Sequence, residues 1–267
     1  MSPNYRSFVG ADDLFDVVGA SQFDVLTNLG LREHHWLLDI GCGSLRAGRL
    51  FIPYLLPGHY FGIEPNRWLI EEAIIHEVGH SLIEIKRPVF NYDNNFSLSN
   101  LGRKFDFLLA QSIFTHASHS QITRCLSEAS RVMHDSSVFV ATFDKGQEDY
   151  SGKDWVYPGY VTYRPVTMER MIAEQGLTFK TLKLSWAFSD RHTWLAITKA
   201  SNIEHLRDMA IALEQGSLEK QLEWYKERYS KLIKHPYVRL GMGASRLVRG
   251  SISGLRPRKN GKPQPDT

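Results

Sequence analysis

The sequence predicts an α/β protein built on a doubly wound, mostly parallel sheet of seven strands with an antiparallel last strand. Three observations predict it. Short apolar runs alternate with stretches whose apolar residues recur at helical spacing, the pattern of parallel strands joined by crossover helices. One run, Phe105-Asp106-Phe107-Leu108-Leu109-Ala110, is almost wholly apolar, as a strand covered on both faces must be. The first run, Trp36-Leu37-Leu38-Asp39-Ile40, passes straight into Gly41-Cys42-Gly43. In such folds that turn brings bare backbone to a nucleoside-type ligand.

Each element follows from local pattern. Asp12 and Asp13 cap a short helix carrying Leu14, Phe15 and Val18. Ser21, with Asp24 three residues on, reads as the cap of a second helix bearing Phe23, Leu26 and Leu29 and stopped by Gly30. Strand one is 36–40. A helix over 45–55 ends at Pro57-Gly58, and strand two is 59–63. Pro65 opens a helix with Leu69, Ala73 and His76 on one face, ending at Gly79. Strand three lies within 83–90, and the Asn- and Ser-rich 91–104 is a loop. Strand four is 105–110. A helix over 119–133 carries Ile122, Leu126, Ala129 and Val132, and strand five is 138–142. A loop at 143–165 leads to a helix at 167–175. Strands at 178–185 and 193–199, joined by the polar Ser189-Asp190-Arg191-His192, form an antiparallel hairpin on the sheet edge.

Four regions result: an N-terminal helical cap (1–35), an α/β ligand-binding domain (36–200), a C-terminal helical arm (201–235) and a basic tail (236–267). In the arm, Ile203, Leu206, Ala210 and Leu213 mark one stripe, and Leu218, Leu222, Tyr225, Tyr229 and Leu232 another. The arm reads either as a helix packed on its own domain or as a self-associating hairpin that makes a homo-oligomer. Net charge is +3 over 267 residues, yet from His235 onward seven basic residues face only Asp266. The tail therefore holds a surplus of six positive charges and the body a deficit of three. With Tyr237, Leu240, Met242, Leu247 and Val248 interleaved, the tail suits an anionic membrane surface; RNA is the weaker alternative, and a solvated tail is the plain one. Two distant cysteines, no apolar leader and no run of about 18 apolar residues place the protein in the cytoplasm, at most peripheral to the membrane.

The motif chemistry narrows the ligand. A dinucleotide fingerprint wants a third glycine five residues after the first; here that position is Arg46. No G-x-x-x-x-G-K-[ST] phosphate loop occurs. A second apolar run, Tyr60-Phe61-Gly62-Ile63, ends at Glu64, well placed to accept hydrogen bonds from two ribose hydroxyls.

Leu37-Leu38-Asp39-Ile40-Gly41-Cys42-Gly43, Phe61-Gly62-Ile63-Glu64 and the segment from Phe105 through Gln111-Ser112-Ile113-Phe114-Thr115-His116 together resemble the class I S-adenosylmethionine-dependent methyltransferases. The likeness runs from about residue 20 to 199. The Gly-Cys-Gly-Ser-Leu-Arg-Ala-Gly turn and Gly-Ile-Glu-Pro-Asn also resemble methyltransferases of polysaccharide-biosynthesis clusters. One departure stands out: the family's usual turn is G-x-G-x-G, and the third glycine is Leu45 here, with Gly48 left for close packing.

The resemblance implies S-adenosylmethionine as cofactor. Gly41 and Gly43 would let backbone approach its methionine portion, Asp39 would sit near the amino group, and Glu64 would hold the ribose; Cys42, Ser44, Pro65 and Asn66 are further cofactor-binding candidates. Asp93, or Asn94 or Asn95 beside it, would meet the adenine edge with Phe96 near the ring, and Gln111 and Ser112 would line the same pocket. Asp93 reads equally as an Asx-turn residue. A hydroxyl acceptor profits from a general base, worth about 10²–10⁴-fold. His116 is the first candidate, though it could equally cap the helix beginning near Ser118, and Asp144 is the second. Arg46, Trp186 and His192 are candidates for shaping the acceptor site.

Several acceptors are disfavoured. Ala110-Gln111-Ser112-Ile113 lacks the Asn/Asp-Pro-Pro-aromatic motif of amide and amine methylation. Neither cysteine is placed for carbon-5 pyrimidine chemistry, and Gln111 and Asp144-Lys145 lack the acids of metal-dependent catechol enzymes. The expectation is a metal-independent O-methyltransferase of a sugar or glycan hydroxyl. The rivals are a small-molecule O- or N-methyltransferase and a non-catalytic cofactor-binding assembly protein.

Overall fold

In this computed structural model, residues 4–184 and 192–214 are described, all within one compact unit, Met1–Ser217. The chain begins with α1 (Tyr5–Phe8) and α2 (Phe15–Asn28). The sheet and its helices follow in the order β1 (Leu37–Ile40), α3 (Gly48–Tyr54), β2 (Tyr60–Ile63), α4 (Arg67–Ala73), α5 (His80–Lys86), β3 (Val89–Asn91), β4 (Phe105–Ala110), α6 (His119–Val132), β5 (Met133–Lys145), β6 (Thr162–Tyr163), α7 (Pro165–Ala173), β7 (Leu177–Leu182) and β8 (His192–Lys199). Residues 203–214 are helical.

The strand order is β3-β2-β1-β4-β5-β8-β7, with β6 pairing the end of β5. Strands β1 to β6 pair in parallel, while β8 enters antiparallel between β5 and β7. The chain winds outward from β1 to β3 and then crosses back to β4. The switch point of the topology therefore lies between the carboxyl ends of β1 and β4, where such sheets open a crevice.

Alternation along the central strands builds a core on each face. Leu38, Ile40, Phe139 and Ala141 pack with Ile122, Leu126 and Ala129 of α6 and with Met168, Met171 and Ile172 of α7. Leu37, Leu109, Val138 and Val140 pack on the other side with Val25 and Leu26 of α2, Leu29 just after it, Phe51 and Ile52 of α3, and Leu206, Ala210 and Leu213. α6 starts with a capping box in which Ser118 and Gln121 satisfy each other's backbone N–H, worth about 1 kcal/mol.

The structure corrects several element bounds. α2 runs unbroken through Ser21, whose hydroxyl donates back to the Val17 carbonyl at 2.8 Å instead of capping a second helix. Residues 83–86 belong to α5, and β3 begins only at Val89. The helix after Pro65 gives way to a wider π-type turn over Ile74–Val78. β5 spans both the expected strand and its flanks, and β6 adds an eighth strand inside the expected loop at 143–165. Trp186, the hairpin connection 185–191, the arm beyond 214 and the basic tail lie outside the described residues.

Candidate active site

A cleft of about 430 Å³ opens at the switch point. Its floor is the turn after β1. There Leu45 holds φ +54°, a left-handed conformation that favours glycine. This costs about 1–2 kcal/mol, offset by a side chain that is fully buried. Gly48 shows why no side chain is tolerated there. A Cβ would come within 2.7 Å of the Tyr60 hydroxyl oxygen and 2.9 Å of Leu45 Cδ2, so α3 could not lie so close to β2.

Glu64 stands at the tip of β2, buried and facing the cleft. Its Oε2 accepts from the Gly43 N–H at 3.2 Å, and its Oε1 accepts from the Asn66 backbone N–H and side-chain amide, both at 2.8 Å. Burial pushes its pKa up, while these donors act against that rise. The carboxylate is thus fixed in place with one of its four acceptor sites, on Oε2, to spare.

Gly41, Gly43, Arg46, Glu64, Pro65, Asn66, Asp93, Asn94, Phe96, Gln111, Ser112 and His116 line this one cleft. Asp93 also makes the alternative Asx turn, its Oδ2 accepting from the N–H groups of Asn95 and Ser97. Phe96 sits beside it with φ +54°.

Other candidates lie elsewhere. Asn95 is exposed and outside the cleft lining. Ser44 is buried, its hydroxyl without a partner. Asp39 and Cys42 line a small recess behind the turn, with Gln22 and Ala47. The Tyr60 hydroxyl donates to Asp39 Oδ2 at 2.7 Å, and burial pushes the Asp39 carboxyl up to about 7. Burial likewise raises the thiols of Cys42 and Cys125, which leaves neither as a thiolate.

Arg46 joins the two sides. Burial lowers its pKa to about 10. Its Nη1 donates to the Val9 carbonyl at 2.7 Å and its Nη2 to Gln111 Oε1 at 2.6 Å, while its Nε is buried without a partner.

The far wall was not visible in the sequence. Phe8 and Val9, from a stretch without pattern, reach into the cleft, and Phe8 packs on Trp68 and Tyr157 with ring centroids 5.4 and 5.2 Å apart. The loop at 155–161 is tied to the end of β4. Val156 N–H donates to the His116 carbonyl and Val161 N–H to the Thr115 carbonyl, both at 2.8 Å. His116 Nδ1 faces the carbonyls of Gly159 at 2.7 Å and Val156 at 3.1 Å, so it carries the proton. Trp155, Tyr157 and Tyr160 surround its ring, and burial lowers its pKa. Exposed aromatics clustered in a loop are the one signal that could have marked this wall.

Asp144 and His192 meet at 2.5 Å as partners in the β5–β8 ladder, and neither lines the cleft. Among the described residues no cluster of His, Cys, Asp and Glu is arranged to hold a metal.

No protein-family model matches the chain, nor does any curated protein. Solved structures do match in shape. Magnesium protoporphyrin IX methyltransferase from Synechocystis PCC 6803 with bound S-adenosylmethionine aligns at 15% identity over 73% of this chain and 89% of that one, TM-score 0.53. The glycopeptide N-methyltransferase MtfA complexed with S-adenosylmethionine aligns at 7% identity over 68% and 94%, TM-score 0.53. A S-adenosylmethionine-dependent methyltransferase from Clostridium acetobutylicum ATCC 824 aligns at 10% over 74% and 93%, TM-score 0.51. The chain has the Rossmann-like methyltransferase fold.

Proposed function

We propose that this protein is a metal-independent, S-adenosylmethionine-dependent methyltransferase acting on a sugar or glycan hydroxyl. The observation that carries the cofactor part is Glu64, fixed at the tip of β2 in the same cleft as the glycine turn, Asp93 and Phe96. The donor set fits the cofactor piece by piece. Glu64 Oε2 keeps one acceptor site for a ribose hydroxyl, and Asp93 Oδ1 and Asn94 offer polar contacts to an adenine edge beside the Phe96 ring. Arg46, with its unpartnered Nε, offers a cation to the methionine carboxylate. Bound there, S-adenosylmethionine supplies a methyl group on a positively charged sulfur, whose C–S bond breaks with its electron pair as the acceptor's bond forms. The protein aligns the acceptor and excludes water, which can supply most of the rate.

The aromatic rim supports the acceptor class. Trp155 and Tyr160 are 42% and 56% exposed, which leaves aromatic ring area open beside the cleft. A sugar has an apolar C–H face that lies against such rings while its hydroxyls stay wet. Residues 236–267 are proposed to rest on an anionic membrane surface, which would bring the enzyme to membrane-assembled glycans. Equal liposome flotation of the full chain and a chain cut after His235 would refute that.

Calorimetry with S-adenosylmethionine tests the core claim, with Glu64→Ala as control; an intact protein that does not bind overturns it. A turnover screen over nucleotide sugars, oligosaccharides and phenolics, read as S-adenosylhomocysteine released, tests the acceptor. Turnover of phenolics alone would move the reading to a small aromatic acceptor.

A further inference from the structure

A line of hydrogen bonds runs from the cleft into the protein on the side away from Glu64. Ser112 follows β4 at φ +59°, a left-handed conformation that a non-glycine residue adopts only where its surroundings hold it. Its N–H donates to Thr142 Oγ1 at 2.8 Å, and its Oγ lies 3.0 Å from His192 Nε2. Beyond it, His192 Nδ1 meets Asp144 Oδ1 at 2.5 Å. The carboxylate accepts only, so Nδ1 carries a proton, and in the neutral ring Nε2 offers a lone pair to the serine hydroxyl. The side chains of His192 and Asp144 are 12% and 2% exposed, so water does not compete for these contacts.

We propose that Ser112 takes the proton of the acceptor hydroxyl, with His192 and Asp144 behind it as positioning residues; this rests on the methyl-transfer reading of the cleft. The hydroxyl of Ser112 has one donor and two acceptor sites. The donor goes to His192, and one acceptor site takes the Gln111 amide at 3.3 Å. Gln111 is itself held with its amide nitrogen toward Ser112, because its Oε1 takes Arg46 Nη2 at 2.6 Å and Gln22 Nε2 at 2.7 Å. The second acceptor site remains for an incoming O–H. As the acceptor oxygen gains its methyl group, its O–H bond breaks and the proton passes to Ser112 Oγ. The serine's own proton passes to His192 Nε2, and the imidazolium formed is balanced by Asp144, the logic of serine–histidine–acid sites.

His116 is less well equipped for this. Its Nδ1 proton goes to two neutral carbonyls, which fix the tautomer but bring no negative charge to stabilise an imidazolium. Its place is at the base of the 155–161 loop.

Phenylmethylsulfonyl fluoride tests the relay without an acceptor. It reacts at a polarised serine by forming an Oγ–S bond and expelling fluoride, the hydroxyl proton going to the neighbouring base. Intact-mass and peptide mass spectrometry of the full chain should find one adduct, on Ser112, absent in Ser112→Ala. His192→Gln and Asp144→Asn should label on the order of 10²-fold more slowly, with S-adenosylmethionine Kd unchanged. No adduct on Ser112 in the wild type, or labelling of the variants as fast as the wild type, overturns the proposal. Asp144→Asn, which changes charge and not size, carries the comparison if His192→Gln does not fold. Failure of the methyl-transfer reading shows separately, as absence of S-adenosylmethionine binding by a wild type that still labels.

Discussion

The two walls of the cleft are built by different means. On the Glu64 side, the turn at 41–48, the tip of β2 and the bend at 93–97 lie at or just beyond strand ends, and much of what they present is backbone geometry held by local contacts. On the Ser112 side, side chains from distant stretches converge: Phe8, Ser112 and Trp155 line the wall, and Gln22 and His192 bond to it from behind, through Gln111 and Ser112. A wall made of strand ends is set by the fold. A wall made of converging side chains can be exchanged residue by residue, which suits the first to a constant ligand and the second to a variable one.

If that division holds, substitutions on the first wall should move stability and cofactor affinity, and those on the second should spare both. The largest effect is expected at Asp39. Its folded carboxyl keeps its proton to about pH 7 against an ordinary value of 3.8, so between those pH values the folded state binds more protons than the unfolded one. Stability should therefore fall as pH rises from about 4 to about 7 and level off above, by an upper limit of about 4 kcal/mol. Asp39→Asn, compared with the wild type by denaturant melts across that range, should lack the fall.

Next comes Glu64→Ala, which strands the Gly43 and Asn66 N–H groups and removes the ribose acceptor. Cofactor affinity should drop by about 1.5–3 kcal/mol by calorimetry. Smaller still, Trp155→Ala should leave the cofactor Kd alone and raise the KM of a turned-over sugar by the equivalent of about 1 kcal/mol. Last, Phe8→Ala, which loses the Trp68 and Tyr157 contacts, should leave the cofactor Kd alone and raise that KM by the equivalent of about 0.5 kcal/mol. Affinity loss in Trp155→Ala as large as in Glu64→Ala would break the division.

The same division marks what was legible in the sequence. The strand carrying Asp39, the glycine turn and Glu64 could be read because short apolar runs and turn glycines are local signals. Gln111 and Ser112 could be read because they directly follow the apolar β4. Residues 83–86 read as strand because Ile83-Glu84-Ile85-Lys86 alternates apolar and charged residues, although it closes α5. Ser21 misled because a serine within a helix can donate back to its own turn. Phe8, Trp155 and Tyr157 carry no local pattern, and the pairing of His192 with Asp144 depends on the β5–β8 register, which spans 48 residues.

Leu45 has a consequence beyond the shape of the turn. A glycine there would roam widely in the unfolded chain and retain freedom in the folded one, and both would be lost each time a ligand settled on it. A leucine bolted into the core surrenders that freedom once, on folding. The surface offered to the ligand is then rigid beforehand, and the ordering entropy that weakens binding to supple glycine loops is already spent.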